Sequence, residues 1–392
     1  MNTAKEQISA VGKYLNKNLM GKVEQNQVLL TALVSGKNVY FVGAPGIGKS
    51  YGAELLSHCL GKAKLTQFAR DTREEELFGP LDLTKLMPKD GSQTRYVRVA
   101  AENDITYVQD CDVFIMDEPA NAPEGCLKRL HALLEERRVH DGEKWVDAKM
   151  QLAVATSNEM LPEECYALND RFTLRYECKD LNAPQKMAFI KARAQGALPK
   201  PDAAQAPQLS ESQVFELREE ALAMPFDDMT FEVMSNIIAE LETRHLAVST
   251  RNWNNLLPVL QAYAMLCGDS EVKPRHLSFA KHVLWRSLDD KETVYSVIED
   301  VVPDLEAELR AEAALMFDKV ECVDWSIVRD YNRRDDEAVS ACTEAITVYK
   351  LCAKMYAAAS EKAQGDYSDI LLTMNGYIEG MKCALALRGV KK

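Results

Sequence analysis

Residues 43–50 read Gly43-Ala44-Pro45-Gly46-Ile47-Gly48-Lys49-Ser50, and they follow directly on the apolar, β-favouring run Asn38–Val42. A strand that turns through Gly-x-x-x-x-Gly-Lys-Ser into a helix constrains the fold more than any other stretch of the chain. Glycines let the backbone curl so that successive N–H groups point inward as an anion nest. The helix that follows, SYGAELLSHCL from Ser50, turns its positive dipole end toward the same place. Lys49 can reach the β- and γ-phosphates of a nucleoside triphosphate, and the Ser50 hydroxyl can ligate Mg²⁺. Tyr51, the next residue, completes the candidate nucleotide-binding set. The loop implies a triphosphate-binding α/β domain without saying what the nucleotide is used for.

At 392 residues the chain has room for two or three domains with substantial cores. Its formal net charge of −13 argues against a broadly basic nucleic-acid surface, although a local basic channel is compatible with it. No apolar run is long enough to span a membrane, and Met1–Met20 lacks the layout of a signal peptide. The ten cysteines are scattered, with no Cys-x-x-Cys pair, and read as reduced cysteines of a cytoplasmic protein. The six histidines form no ligand pattern, so no metal other than nucleotide-bound Mg²⁺ is expected.

Thr3–Val34 reads as two helices broken near Gly21. Further strand signals follow at Leu65–Ala69, Val113–Met116, Leu152–Thr156 and Thr173–Glu177, with helical patterns such as Pro123–Glu136 between them. Strands alternating with helices imply a mainly parallel sheet covered on both faces. After Lys179 only helical patterns remain: Ala183–Gln195, Glu211–Met224, Phe231–Arg244, Arg251–Cys267 and Pro274–Leu288, with a Pro/Ala-rich connector at Ala197–Pro207. From Asp289 two further faces stand out at helical spacing. One is Val339, Cys342, Ile346, Tyr349 and Tyr356; the other is Ile370, Met374, Tyr377, Met381 and Leu385. The turn-like Gln364-Gly365-Asp366 between them predicts an antiparallel helix hairpin, which either docks a partner or packs on the preceding domain.

Val113-Phe114-Ile115-Met116-Asp117-Glu118 is an apolar strand ending in two carboxylates. Such a strand delivers Asp117 beside the phosphate loop to hold Mg²⁺, and Glu118 can polarise an attacking water. Adjacent strand residues face opposite sides, so the two need not share a task. Asn158, after the strand Leu152–Thr156, can bond the γ-phosphate or the lytic water. Arg171, before the last strand, can in a ring reach a neighbouring subunit's γ-phosphate, where a guanidinium fits the charge bidentately. Arg251, in Ser249-Thr250-Arg251-Asn252-Trp253, begins a helix and is expected to fold over bound nucleotide in cis.

With these residues in place the chain resembles the AAA+ ATPases, and within them the MoxR family near its RavA branch. The likeness covers roughly the first 290 residues. It includes Glu76-Leu77-Phe78-Gly79-Pro80-Leu81, Leu133-Leu134-Glu135-Glu136-Arg137, Ala155-Thr156-Ser157-Asn158-Glu159, Asn169-Asp170-Arg171-Phe172 and the segment Ser249–Trp253. The resemblance implies an αβα core over residues 1–181, a helical lid over 182–288, a C-terminal helical region over 289–392 and a hexameric ring. It assigns Lys49 and Ser50 to Walker A, Asp117 and Glu118 to Walker B, Asn158 to sensor 1, Arg171 to the trans arginine finger and Arg251 to sensor 2. Val23 matches the segment lining the adenine pocket, residues 77–101 the helix-2 insert and 137–149 the hairpin before sensor 1. Arg175 is a second candidate near the finger position. Pro119-Ala120-Asn121-Ala122 departs from the residues relatives carry after Walker B, and no large RavA-type extension follows residue 290.

The implied function is an ATP-driven, chaperone-like remodelling ring that uses ATP and Mg²⁺ and works with a von Willebrand A-domain partner on a protein client. The competing readings are a nucleic-acid-associated motor and a scaffold that uses ATP only to assemble.

Overall fold

The computed structural model describes residues 3–88, 93–99, 106–140, 143–162, 165–198, 201–330, 332–362 and 368–389. Residues Met1–Val301 form one compact unit and Val302–Lys392 a second. The helix Leu288–Val301 therefore belongs to the first unit, and the division expected at residue 289 falls at 302.

The first unit is built on a parallel five-stranded sheet. Its strands are β1 (Val39–Val42), β2 (Ala63–Gln67), β3 (Val113–Asp117), β6 (Leu152–Ser157) and β7 (Leu174–Glu177), in the order β2-β3-β6-β1-β7. Strands β1 and β6 are buried at every residue, as parallel strands with both faces covered must be. Helices Ala4–Asn18, Val23–Ser35, Tyr51–Leu60 and Glu124–Glu136 flank the sheet sequence. Register fixes which ends of the strands meet: Val39 lies opposite both Val154 and Leu174, and Asp117 opposite Thr156. All five carboxyl ends therefore point one way.

Between β2 and β3 the described part of the 77–101 insert holds the helix Leu83–Leu86 and a bridge between Leu81 and Arg98. Strands β4 (Arg138–His140) and β5 (Trp145–Asp147) pair antiparallel as a hairpin. Glu143 ties the two excursions together, accepting from Arg95 Nη2 at 3.0 Å and from the Tyr96 amide at 3.1 Å. A cavity of about 880 Å³ opens beside them, lined by Lys62, Asp82, Arg98, Val139, His140 and Glu211 among others; it contains none of the candidate site residues.

After the sheet come the helices Glu211–Leu222, Asp228–Thr243 and Thr250–Leu266. The helix expected over Pro274–Leu288 is instead a 3₁₀ segment, Pro274–His282, followed by a fresh α-helix from Leu288. The break has a local cause. Ser287 Oγ accepts from the Asp290 amide at 3.1 Å while Asp290 accepts from the amides of Arg286 and Ser287, a reciprocal cap that starts a new helix. Arg218 on the first of these donates to the Leu33 and Gln151 carbonyls, and the Lys37 ammonium donates to Asn255 on the third at 3.0 Å, tying both helices to the sheet's flank.

In the second unit the long helices Asp336–Lys362 and Ser368–Leu387 pack on each other and on Leu305–Glu321. The turn Gln364-Gly365-Asp366 lies outside the described residues. Ile370, Met374, Met381 and Leu385 are buried, but Tyr377 is 40% exposed and Ile378 takes its place. On the longer helix the buried stripe is Ala338, Ala341, Ala345, Cys352 and Ala359, while Val339 is 60% exposed. Small residues allow close approach of the helix backbones, and the larger Ile346, Tyr349 and Tyr356 pack at the margins.

Candidate nucleotide site

The loop after β1 requires glycine at its first residue for two reasons. Gly43 has φ +151°, and a Cβ there would sit 2.5 Å from the Cys178 carbonyl oxygen of the neighbouring strand end. Gly46 and Gly48 also adopt positive φ, at 77° and 83°, which turns the loop amides inward. From below, Gln25 Nε2 donates to the carbonyls of Gly48 (3.1 Å) and Lys49 (3.3 Å) and so braces the loop from the first turn of the helix Val23–Ser35. Val23, two residues earlier, is 60% exposed and free to meet a ligand. The segment Gly21–Gln25 carried the clue to Gln25, but the amide's role emerges only once the helix lies under the loop.

Lys49 is 9% exposed. Its ammonium donates to the carbonyls of Gly43 (2.5 Å) and Ala44 (2.9 Å) and to Asn158 Oδ1 (2.8 Å). Among the described residues no carboxylate lies within ion-pair distance of it. A buried cation held only by neutral oxygens, inside a ring of inward-turned amides, matches an anionic ligand. Ser50 opens the helix Tyr51–Leu60 without using its hydroxyl as a cap, and Tyr51 is the first helical residue.

The two carboxylates at the end of β3 are held differently. Asp117 accepts from Thr156 Oγ1 at 2.7 Å, across the register of β3 and β6. Glu118 accepts from Ser157 Oγ at 2.7 Å and from the Asn158 amide at 3.0 Å. Its backbone is left-handed, φ 52° and ψ 53°, although it is not glycine and precedes Pro119. Strain of this kind persists where surrounding bonds over-determine it, and here the Glu118 amide also donates to the Thr156 carbonyl at 2.8 Å. The proline that departs from the family pattern thus begins the 3₁₀ turn Pro119–Asn121 that aims the Glu118 side chain at β6. Thr156 and Ser157 were missed in the sequence because only the register of β6 against β3 reveals them.

The arginines lie elsewhere. Arg171 precedes β7, at the amino ends of the strands, and its carbonyl accepts from Asn38 just before β1. The phosphate loop lies at the carboxyl end of β1, about 10 Å away along the strand. Arg171 Nη2 pairs with Glu135 Oε2 at 2.8 Å, and Arg251 Nη2 pairs with Glu135 Oε1 at 2.5 Å. Sequence expected Arg251 over its own nucleotide; the structure places it beside Arg171, because the lid helix Thr250–Leu266 packs against Val23–Ser35 and brings its first two turns to Glu135 and Lys37. Arg175, the other finger candidate, is 3% exposed and donates to Asn169 Oδ1 (3.1 Å) and the Asn169 carbonyl (2.9 Å). Burial pushes its guanidinium down to about 10.

The family model described as the MoxR domain in the MoxR-vWA-beta-propeller ternary systems matches residues 6–219, over half of the chain. The chain belongs to the MoxR-type AAA+ ATPases. A second family model, an AAA lid domain, covers residues 229–298 of this MoxR protein. Two relatives from Methanocaldococcus jannaschii, uncharacterized proteins MJ0079 and MJ0812, are 24% and 23% identical to it over 304 and 286 residues. The first alignment spans 77% of this chain and 76% of the relative, the second 72% of each. A crystal structure described as a "putative ATPase" from Cytophaga hutchinsonii superposes with a TM-score of 0.59 at 15% identity. It covers 76% of the MoxR chain and 95% of its own, and supports the fold. No described helix of this MoxR ATPase is long and apolar enough to cross a membrane.

Proposed function

We propose that this protein hydrolyses ATP at a site shared between copies of itself and uses the cycle to remodel a protein client. The observation that carries the reading is the separation of the two halves of the site. Lys49, Asp117, Glu118 and Asn158 are joined by direct bonds or by adjacent strand residues at the carboxyl end of the sheet, while Arg171 and Arg251 are paired at the amino end. With their side chains engaged at the amino end, the guanidiniums are placed to serve the nucleotide of a second copy.

In this reading the loop amides of residues 43–50 and Lys49 hold the phosphates, and Val23 contacts the base. Ser50 and Asp117 would hold Mg²⁺, which when bound screens the phosphate charge. Glu118 takes the proton of the attacking water, and Asn158, bonded to both Lys49 and Glu118, keeps that water and the γ-phosphate in register. Arg171 and Arg251 stabilise charge building on the transferred phosphoryl group. Closed rings of six copies satisfy every such site, which fits a cyclic head-to-tail assembly. The matched family model is named for systems that pair a MoxR domain with a vWA protein, and this supports a von Willebrand A-domain partner and a complex-maturation role. Placement near the RavA branch rests on motif order alone.

A shared site makes turnover depend on assembly. Specific ATPase activity is expected to rise with protein concentration until the oligomer saturates, in step with mass measured under the same conditions. Constant specific activity down to a monomeric solution would overturn the shared site.

A further inference from the structure

Glu135 lies in the last turn of the helix Glu124–Glu136, about half-exposed, and its two oxygens serve different modules. One binds Arg171, from the loop before β7; the other binds Arg251, from the first turn of the lid helix. Neither arginine has another ion-pair partner among the described residues, and Arg171 Nε is buried without a hydrogen-bond partner. The nearby titratable groups register the two guanidinium charges. His131, one turn earlier on the helix, is held below the usual imidazole range by burial and by the Arg171 charge. Lys37 is pushed down by burial and by Arg137 and Arg251. Glu135 is thus the carboxylate that lets two guanidiniums sit together, one fixed to the core and one to the lid.

We propose that Glu135 is a positioning residue for the reaction, clamping Arg171 and Arg251 into one unit so that the placement of the finger follows the position of the lid. This rests on the reading that Arg171 acts on a second copy's nucleotide. Without the carboxylate the two like charges repel, Arg171 loses its only ionic anchor, and lid movement no longer carries the finger with it. ATP binding on the subunit's own loop is untouched, because no bond joins Glu135 to residues 43–50.

The test uses the full-length chain in four forms: wild type, Glu135→Gln, Arg171→Ala and the double variant, with Glu135→Asp as the conservative control. Glu135→Gln keeps the side chain's shape and removes its charge. Its kcat is expected to fall about 10- to 100-fold, the usual worth of a charge-assisted bond, with KM for ATP within about twofold. In the Arg171→Ala background the same change should lower kcat no further, and Glu135→Asp should recover part of the loss. A merely structural role would instead lower the melting temperature and multiply with Arg171→Ala; either that multiplication or wild-type kcat in Glu135→Gln overturns the clamp. Wild-type turnover in Arg171→Ala itself would remove the underlying reading and the clamp with it. Lost turnover there, beside normal turnover in Glu135→Gln, would overturn the clamp alone.

Discussion

The two ends of the central sheet are organised on opposite principles. At the carboxyl end, the polar groups are bonded to one another through short, mostly half-buried contacts: Lys49 to Asn158, Glu118 to Ser157 and Asn158, Asp117 to Thr156. At the amino end, two guanidiniums gather on one half-exposed carboxylate, with Arg251 50% exposed. The first arrangement can bind a ligand by itself. The second joins a mostly buried Arg171 to a half-exposed Arg251, away from the loop. On the proposed reading, the difference assigns binding to one copy and the completion of catalysis to its neighbour.

Substitutions that strike one end and spare the other can break the comparison. The largest effect is expected from Arg171→Ala. Removing an arginine finger costs on the order of 10³–10⁵ in rate. Turnover should collapse while nucleotide affinity, measured with a fluorescent analogue, stays within a few-fold of wild type; matched losses of both would merge the two ends. Lys49→Ala should do the reverse, weakening ATP binding by about 100-fold or more, as loss of charge-assisted bonds to two phosphates predicts. Calorimetric titration reads this directly, and unchanged affinity would remove the loop from the account.

Gly43→Ala probes the rigidity of the binding end. The new methyl would meet the Cys178 carbonyl at 2.5 Å on a backbone with φ +151°. A cost of about 1–3 kcal/mol in stability is expected, together with weaker binding. Chemical denaturation showing no loss would mean the loop relaxes more freely than its contacts suggest.

The smallest effect serves as a control remote from both ends, in the lid. Asp269 is raised by burial but pulled down further, to about 2, by bonds from His276 at 3.0 Å and Arg275 at 2.6 Å. Its folded pKa lies below the unfolded value, so its stabilisation is present above about pH 4 and is lost as pH falls toward 2. Asp269→Asn should lower stability at pH 7 by on the order of 1 kcal/mol after solvent screening, with the gap to wild type closing as pH drops through that window. A gap that widens in acid would contradict the assignment.

The binding end was legible in sequence because its residues are adjacent in the chain or terminate recognisable strands: Gly43–Ser50 after one, Asp117 and Glu118 after another, Asn158 after a third. What remained hidden depends on juxtaposition. Thr156 and Ser157 acquire their roles from strand register, and Gln25 from a helix lying beneath the loop. Arg251 was read as able to fold over its own nucleotide because its segment begins a helix, whereas its pairing with Glu135 follows from packing of that helix on Val23–Ser35, far away in sequence. Motif order favoured Arg171 over Arg175, and the burial of Arg175 shows only once the strand is packed. The same limit appears in the C-terminal unit, where periodicity favoured Val339 and Tyr349 but close helix packing buried the alanines between them.

The central claim, that one copy binds and another completes the site, is tested most directly by mixing two inactive variants. Lys49→Ala subunits keep their arginines but cannot hold ATP; Arg171→Ala subunits hold ATP but lack the finger. Mixed in equal amounts and allowed to exchange, they should recover ATPase activity well above either parent, since some junctions then pair an intact loop with an intact arginine. Activity that stays at the parental background, in mixtures shown by mass to contain both variants in one assembly, would contradict the account.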